Sequence, residues 1–161
     1  MSCLDRKTFD DHLETLLTKA EKLIPNEELP DLPYMDVAPD VHEWYQFEHQ
    51  LWDVGEEIRQ LIAEHNKKLN EAQVKRIIEI CLDKKAKRGR QSFIMLLGRK
   101  CYSAFADVII HLIHDDDVDG HVIDTIYKMQ VGQYVEKVKP FLNHKRTWIR
   151  NEAKKYIQKY E

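Results

Sequence analysis

Glycine and proline are scarce in this chain, five of each among 161 residues. So low a supply of turn formers argues against a sandwich or barrel built on many tight turns, and with 33% charged residues it points to long helices. Cysteine is equally sparse. Cys3, Cys81 and Cys101 are odd in number and scattered, with no C-x-x-C pair, so reduced thiols and no disulfide framework are expected. Long apolar runs are missing, which excludes a membrane-spanning helix. The opening "MSCLDRKTFDD" carries charge where a signal peptide needs apolar residues, so a cytoplasmic protein is expected. Enzyme signatures are absent as well: there is no G-x-S-x-G, no P-loop and no G-x-G-x-x-G, and "LLGRK" at 96–100 ends a helix rather than cradling a phosphate. The sequence therefore singles out no catalytic residue and no cofactor.

What is present is charge, unevenly placed. The formal net of −3 conceals −11 over residues 1–66 and +8 over residues 67–161. Such polarity serves an external partner of either sign, or lets the two halves attract each other. The length suits a single domain, 1–161, large enough to need no disulfide or metal staple.

Apolar spacing divides that domain. Phe9, Leu13, Leu16, Leu17, Ala20, Leu23 and Ile24 mark an amphipathic helix that stops at Pro25. Pro25, Pro30, Pro33 and Pro39 make 25–40 an extended connection, because each disfavours helix in the residue before it. Asp40 is the expected N-cap of the next helix, lined by Phe47, Leu51, Val54, Ile58, Leu61 and Ile62 and ending near Lys67. Asn70 with Gln73 has the pattern of a capping box opening a third.

From residue 71 the pattern repeats. Val74, Ile78 and Leu82 recur as Phe105, Ile109 and Ile113 and again as Tyr134, Val138 and Leu142, at offsets of 31 and 29. Gly89, Phe93 and Leu97 recur as Val118, Val122 and Ile126 and then as Ile149, Ala153 and Ile157. Each unit reads as a helical hairpin of about thirty residues that is stable only when stacked on neighbours.

The third unit, "VEKVKPFLNHKRTWIRNEAKKYIQK", resembles a HEAT repeat of the armadillo type, as does the stretch 71–160 more broadly. The resemblance implies an all-α, right-handed α-solenoid of about three hairpins, capped by the N-terminal helix pair, about eight helices in all. It also implies a ladder in which a turn Asp meets an Arg seven residues on; Asp83 with Arg90 has that spacing, Asn143 stands before Arg150, and Asp119 occupies the equivalent Arg position of the middle unit. Since such repeats are mostly binding scaffolds, function is argued from surfaces.

The stretch "HLIHDDDVDGHVID" at 111–124 offers the one metal-like pattern. Asp115, Asp117, Asp119 and Gly120 match the start of an EF-hand loop, but its closing carboxylate is replaced by Ile126, a core position, and the loop would unwind the helix from Val118. His111, His114 and His121 give weak zinc spacing, with no H-E-x-x-H. The stretch reads as a turn inside the repeat, with Asp117 capping the next helix, and no metal is assigned.

Two surfaces remain. Tyr45, Glu48, His49, Trp52 and Glu56 form a stripe on the second helix, with Asp53 beside it; aromatics ringed by acids suit a basic protein partner, while the alternative is that Tyr45 and Trp52 pack inward against the first helix. Asp124, Tyr127 and Lys128 are the next candidate partner-binding residues. The second surface is basic: Lys84, Lys85, Lys87, Arg88 and Arg90 in the first turn, Lys145, Arg146 and Arg150 in the third, extended by Lys154 and Lys155. The expected function is a non-enzymatic protein-binding scaffold, specifically an immunity or antitoxin-type protein masking a basic partner such as a toxin nuclease. The alternative is a nucleic-acid-binding HEAT-like protein.

Overall fold

The computed structural model describes residues 3–161. It is all-helical: eight α-helices joined in places by 3-10 turns, with no strand among the described residues beyond one isolated bridge between Tyr34 and His42. Its contacts group into two compact units, one ending at Phe93 and one beginning at Ile94.

In unit 1, α1 (Arg6–Leu23) starts where the Asp5 carboxylate accepts the Thr8 N–H at 2.8 Å and stops ahead of Pro25. Phe9, Leu13, Leu16, Leu17 and Ala20 are buried along it, as their spacing predicts. The proline-rich connection is not extended throughout: it doubles back over 34–42, where Tyr34 and His42 bridge, and the second helix, α2 (Gln46–His65), begins six residues after Asp40. Asp40 is not its cap, because it lies in the turn that closes this loop and Tyr45 takes the N-cap position. Leu51, Val54, Ile58 and Leu61 are buried, and Asn66 closes the helix in the left-handed region at φ 48°. The capping box of α3 (Glu71–Leu82) forms in full: the Gln73 N–H donates to Asn70 Oδ1 at 2.9 Å and the Asn70 N–H to Gln73 Oε1 at 2.8 Å. Leu82, expected in the core, is exposed, and Cys81 takes the inward position. A 3-10 segment, Lys84–Arg90, then leads into α4 (Gln91–Leu96), inside which the unit boundary falls.

In unit 2 the inward positions of α6 (Asp119–Lys128) and α8 (Thr147–Tyr160) follow the expected recurrence. Val118, Val122, Ile126, Ile149 and Ala153 are buried, while Ile157 is only partly so. The elements before them depart from regular helices. Residues 100–114 run as Lys100–Phe105 (3-10), α5 (Ala106–Ile109) and Ile110–His114 (3-10), and 135–143 as α7 (Val135–Val138) and Lys139–Asn143 (3-10). Ile109, Ile110, Leu112 and Ile113 are all buried across the change from α-helical to 3-10 geometry. Phe105 and Leu142 are half-buried. Tyr156, not foreseen as core, is fully buried and ties α8 to the 131–134 turn: its hydroxyl donates to the Val131 carbonyl at 2.5 Å and accepts the Tyr134 N–H at 3.2 Å.

Candidate protein-binding surface

The basic run 84–90 determines what unit 1 shows to solvent. Lys87, Arg88 and Arg90 are buried rather than displayed, because each side chain is spent inside the unit. Lys87 reaches Asp31 at 3.0 Å. Arg88 donates to the carbonyls of His42 at 2.5 Å and Glu43 at 2.7 Å. Arg90, with no exposure, donates to the carbonyls of Lys87 at 2.6 Å and Cys81 at 3.3 Å, closing its own turn. Lys87 itself sits at φ 49°, ψ −136°, a conformation that strains a residue with a side chain and persists here because its neighbours are tied down.

Glu48 belongs to this arrangement, not to a rim. It is wholly buried; its carboxylate accepts the N–H of Tyr45 at 2.7 Å and the N–H of Arg88 at 3.0 Å, with the Arg88 guanidinium at 3.6 Å. The expectation that Glu48 faces a partner is corrected, since a buried carboxylate must be fully hydrogen-bonded and this one is. Tyr45, half-buried, donates its hydroxyl to the Pro30 carbonyl at 2.5 Å, so it fastens the connection. Trp52 and Glu56 are also half-buried, and Glu56 pairs with Arg59 at 2.9 Å.

The fully exposed stripe of α2 is therefore rotated by about one position. It runs through His49, Asp53, Glu57, Gln60 and Glu64, spacings that keep one face of a helix. His49 and Asp53, both singled out from the sequence, lie on it. The aromatic beside it is Trp44, missed because periodicity begins only inside the helix. Its ring stacks on His49 with centroids 5.1 Å apart, and the Arg88 guanidinium lies 5.1 Å from its centroid.

The remaining candidates sit in unit 2. Asp124 and Lys128 pair across one turn of α6 at 2.8 Å. Tyr127 is half-buried, with Lys155 and Lys159 each 4.9 Å from its centroid. Of the third basic turn, Arg150 folds back onto the carbonyls of His144 at 2.6 Å and Lys145 at 3.0 Å and onto Thr147 Oγ1 at 2.8 Å. Lys84, Lys145, Lys154 and Lys155 stay exposed.

The acidic stretch is a turn. Asp115 accepts the Asp117 N–H at 3.0 Å, and α6 follows with Val118 at its N-cap position. Asp119 is buried, accepts the Gly120 N–H at 2.7 Å and lies 3.3 Å from His144 Nε2; burial raises its carboxyl above the ordinary range. His144 Nδ1 faces the Arg146 N–H at 3.0 Å, which leaves Nε2 turned to Asp119. His121 packs edge-on to Trp148, and burial pushes it down to about 4. Among the described residues no group of three or more His, Cys, Asp or Glu could hold a metal ion. No helix there is long and apolar enough to cross a membrane.

No family model matches the chain, and comparison with curated proteins and with solved structures yields no match.

Proposed function

We propose that this chain is a non-enzymatic protein-binding scaffold that masks a basic partner, the role of an immunity or antitoxin-type protein, with contact centred on unit 1. One observation carries the reading. Unit 1 holds nineteen Asp/Glu and fourteen Lys/Arg, but three of the bases and only one of the acids are buried, leaving eighteen acids against eleven bases at the surface, a net of −7. Three of its cations are turned inward to hold the chain together, while all but one of its anions are left outside. Such a surface attracts a cationic protein by long-range steering, while Trp44, His49 and Trp52 supply ring area beside the acids. The recurrence of buried positions at offsets of 29 and 31 residues, Gly89, Val118 and Ile149 with Phe93, Val122 and Ala153, supports reading the helices as a HEAT-like right-handed solenoid behind the α1 and α2 pair.

Affinity purification of the tagged full chain from its native cell, followed by mass spectrometry, tests the reading. The retained protein is expected to be basic, released by salt, and lost with Asp53→Lys combined with Glu57→Lys. Retention of an acidic protein, or of one indifferent to both changes, contradicts it.

The nucleic-acid reading rests on a narrower observation, the cluster of Lys154, Lys155 and Lys159 near the Tyr127 ring. It loses most of the first basic turn, since Lys87, Arg88 and Arg90 are buried. Submicromolar binding of single-stranded or duplex nucleic acid at physiological salt, abolished by Lys154→Glu with Lys155→Glu, would bring it forward.

A further inference from the structure

We propose that residues 34–42 form a preshaped docking knob for a basic polypeptide, with Tyr34 and Val37 as its apolar anchors. This rests on the reading of unit 1 as a surface for a basic partner and adds the element that makes the apolar contact.

Val37 is 94% exposed and Tyr34 57%, the two most exposed large apolar side chains among the described residues. Neither gains anything from the chain's own core by standing in water. They do not stand on a loose loop. The bridge between Tyr34 and His42 closes it, and the two rings stack with centroids 4.1 Å apart. Within it the Met35 N–H donates to the Val41 carbonyl at 2.7 Å and the Val41 N–H to the Ala38 carbonyl at 2.9 Å. At its base the Glu43 N–H donates to the Pro33 carbonyl at 2.8 Å.

The knob is also fastened from below. Lys87 holds Asp31, Arg88 holds the carbonyls of His42 and Glu43, and the Tyr45 hydroxyl holds Pro30. Pro33 and Pro39 restrict the segment further. The buried cations of the 84–90 turn thus present an apolar tip in one conformation, which lowers the ordering cost of binding. Charge selects the occupant. Asp36 and Glu43 are exposed beside the anchors on a unit whose surface is net negative, so an anionic membrane is repelled and a cationic polypeptide is drawn in.

The test is selection of a random peptide library displayed on phage against the full chain, followed by affinity measurement on variants. Enriched sequences are expected to place Lys or Arg around an aliphatic or aromatic residue and to bind Val37→Ser about tenfold more weakly or worse. Val37 touches too little of the protein for that change to unfold it, which circular dichroism verifies. Enrichment of acidic sequences, or of none, overturns both the knob and the reading of unit 1. Basic sequences weakened by Asp53→Lys with Glu57→Lys but indifferent to Val37→Ser overturn the knob alone.

Discussion

Glu48 and Arg88 are bound twice over: the buried carboxylate accepts the Arg88 backbone N–H at 3.0 Å, and the Arg88 guanidinium stands 3.6 Å away while donating onward to the carbonyls of His42 and Glu43. An acid on α2 thereby fixes the 84–90 turn, and that turn fixes the proline-rich connection. Glu48→Gln keeps the shape but exchanges a charged acceptor for a neutral amide, one end of which cannot accept. It should lower unfolding free energy by about 1–3 kcal/mol in urea titration. Asp53→Asn, one turn away and exposed, should be nearly silent.

Thiol chemistry reports the same core from another side. Cys81 is fully buried on α3, and burial pushes its thiol up to about 12, whereas Cys3 and Cys101 are exposed. Only the thiolate attacks a disulfide reagent. Titration with such a reagent at neutral pH should label two thiols in the native protein and the third only in denaturant. Rapid labelling of all three without denaturant would place Cys81 elsewhere.

His121 makes stability depend on acid. Its folded value of about 4 lies below the ordinary 6.5, chiefly through burial, so the unfolded chain takes a proton in that interval and the folded one does not. Stability from this group is whole above pH 6.5 and is lost as pH falls towards 4. The loss is on the order of 2 kcal/mol once partial solvent access is allowed for. His121→Gln should flatten that part of the melting-temperature profile relative to wild type. Parallel profiles would show that the ring is solvated.

Packing of α8 can be read from a pair of substitutions. Ala153 is fully buried while Asn151 is exposed on the same helix. Ala153→Leu should cost roughly 1–3 kcal/mol by overpacking, and Asn151→Ala almost nothing, as measured by chemical unfolding. Equal effects would mean that the helix faces the other way.

The sequence made the helices of unit 1 legible because their signals are local: the α1 stripe, the proline break and the Asn70–Gln73 box depend only on neighbours in the chain. The inward positions of α6 and α8 were legible for a related reason, since the buried residues recur at near-constant spacing. The direction of individual charges was not. Lys87, Arg88 and Arg90 look like a basic patch in sequence, and nothing nearby reveals that the acceptors of Lys87 and Arg88 lie at Asp31, His42 and Glu43, more than forty positions away, or that Arg90 turns back onto the carbonyls of its own turn. Glu48 was misplaced for the same reason, because beside the local Tyr45 N–H its other partner is a backbone N–H of that distant turn. Trp44 and Val37 escaped notice because both lie where no period applies. Thus the stripe on α2 was found, but the structure turns it from Tyr45, Glu48 and Trp52 toward His49 and Asp53 and adds a ring just ahead of the helix.

The central claim is that the outward acids of unit 1 steer a basic protein partner, and the salt dependence of its association rate tests this most directly. With the partner obtained by purification, stopped-flow association should slow as salt is raised, and Asp53→Lys with Glu57→Lys should lower the rate about tenfold or more and flatten the salt dependence. Lys154→Glu with Lys155→Glu should leave it equal or faster. An association rate untouched by reversing Asp53 and Glu57, but lowered by reversing Lys154 and Lys155, would contradict the account and move the contact to the basic face of α8.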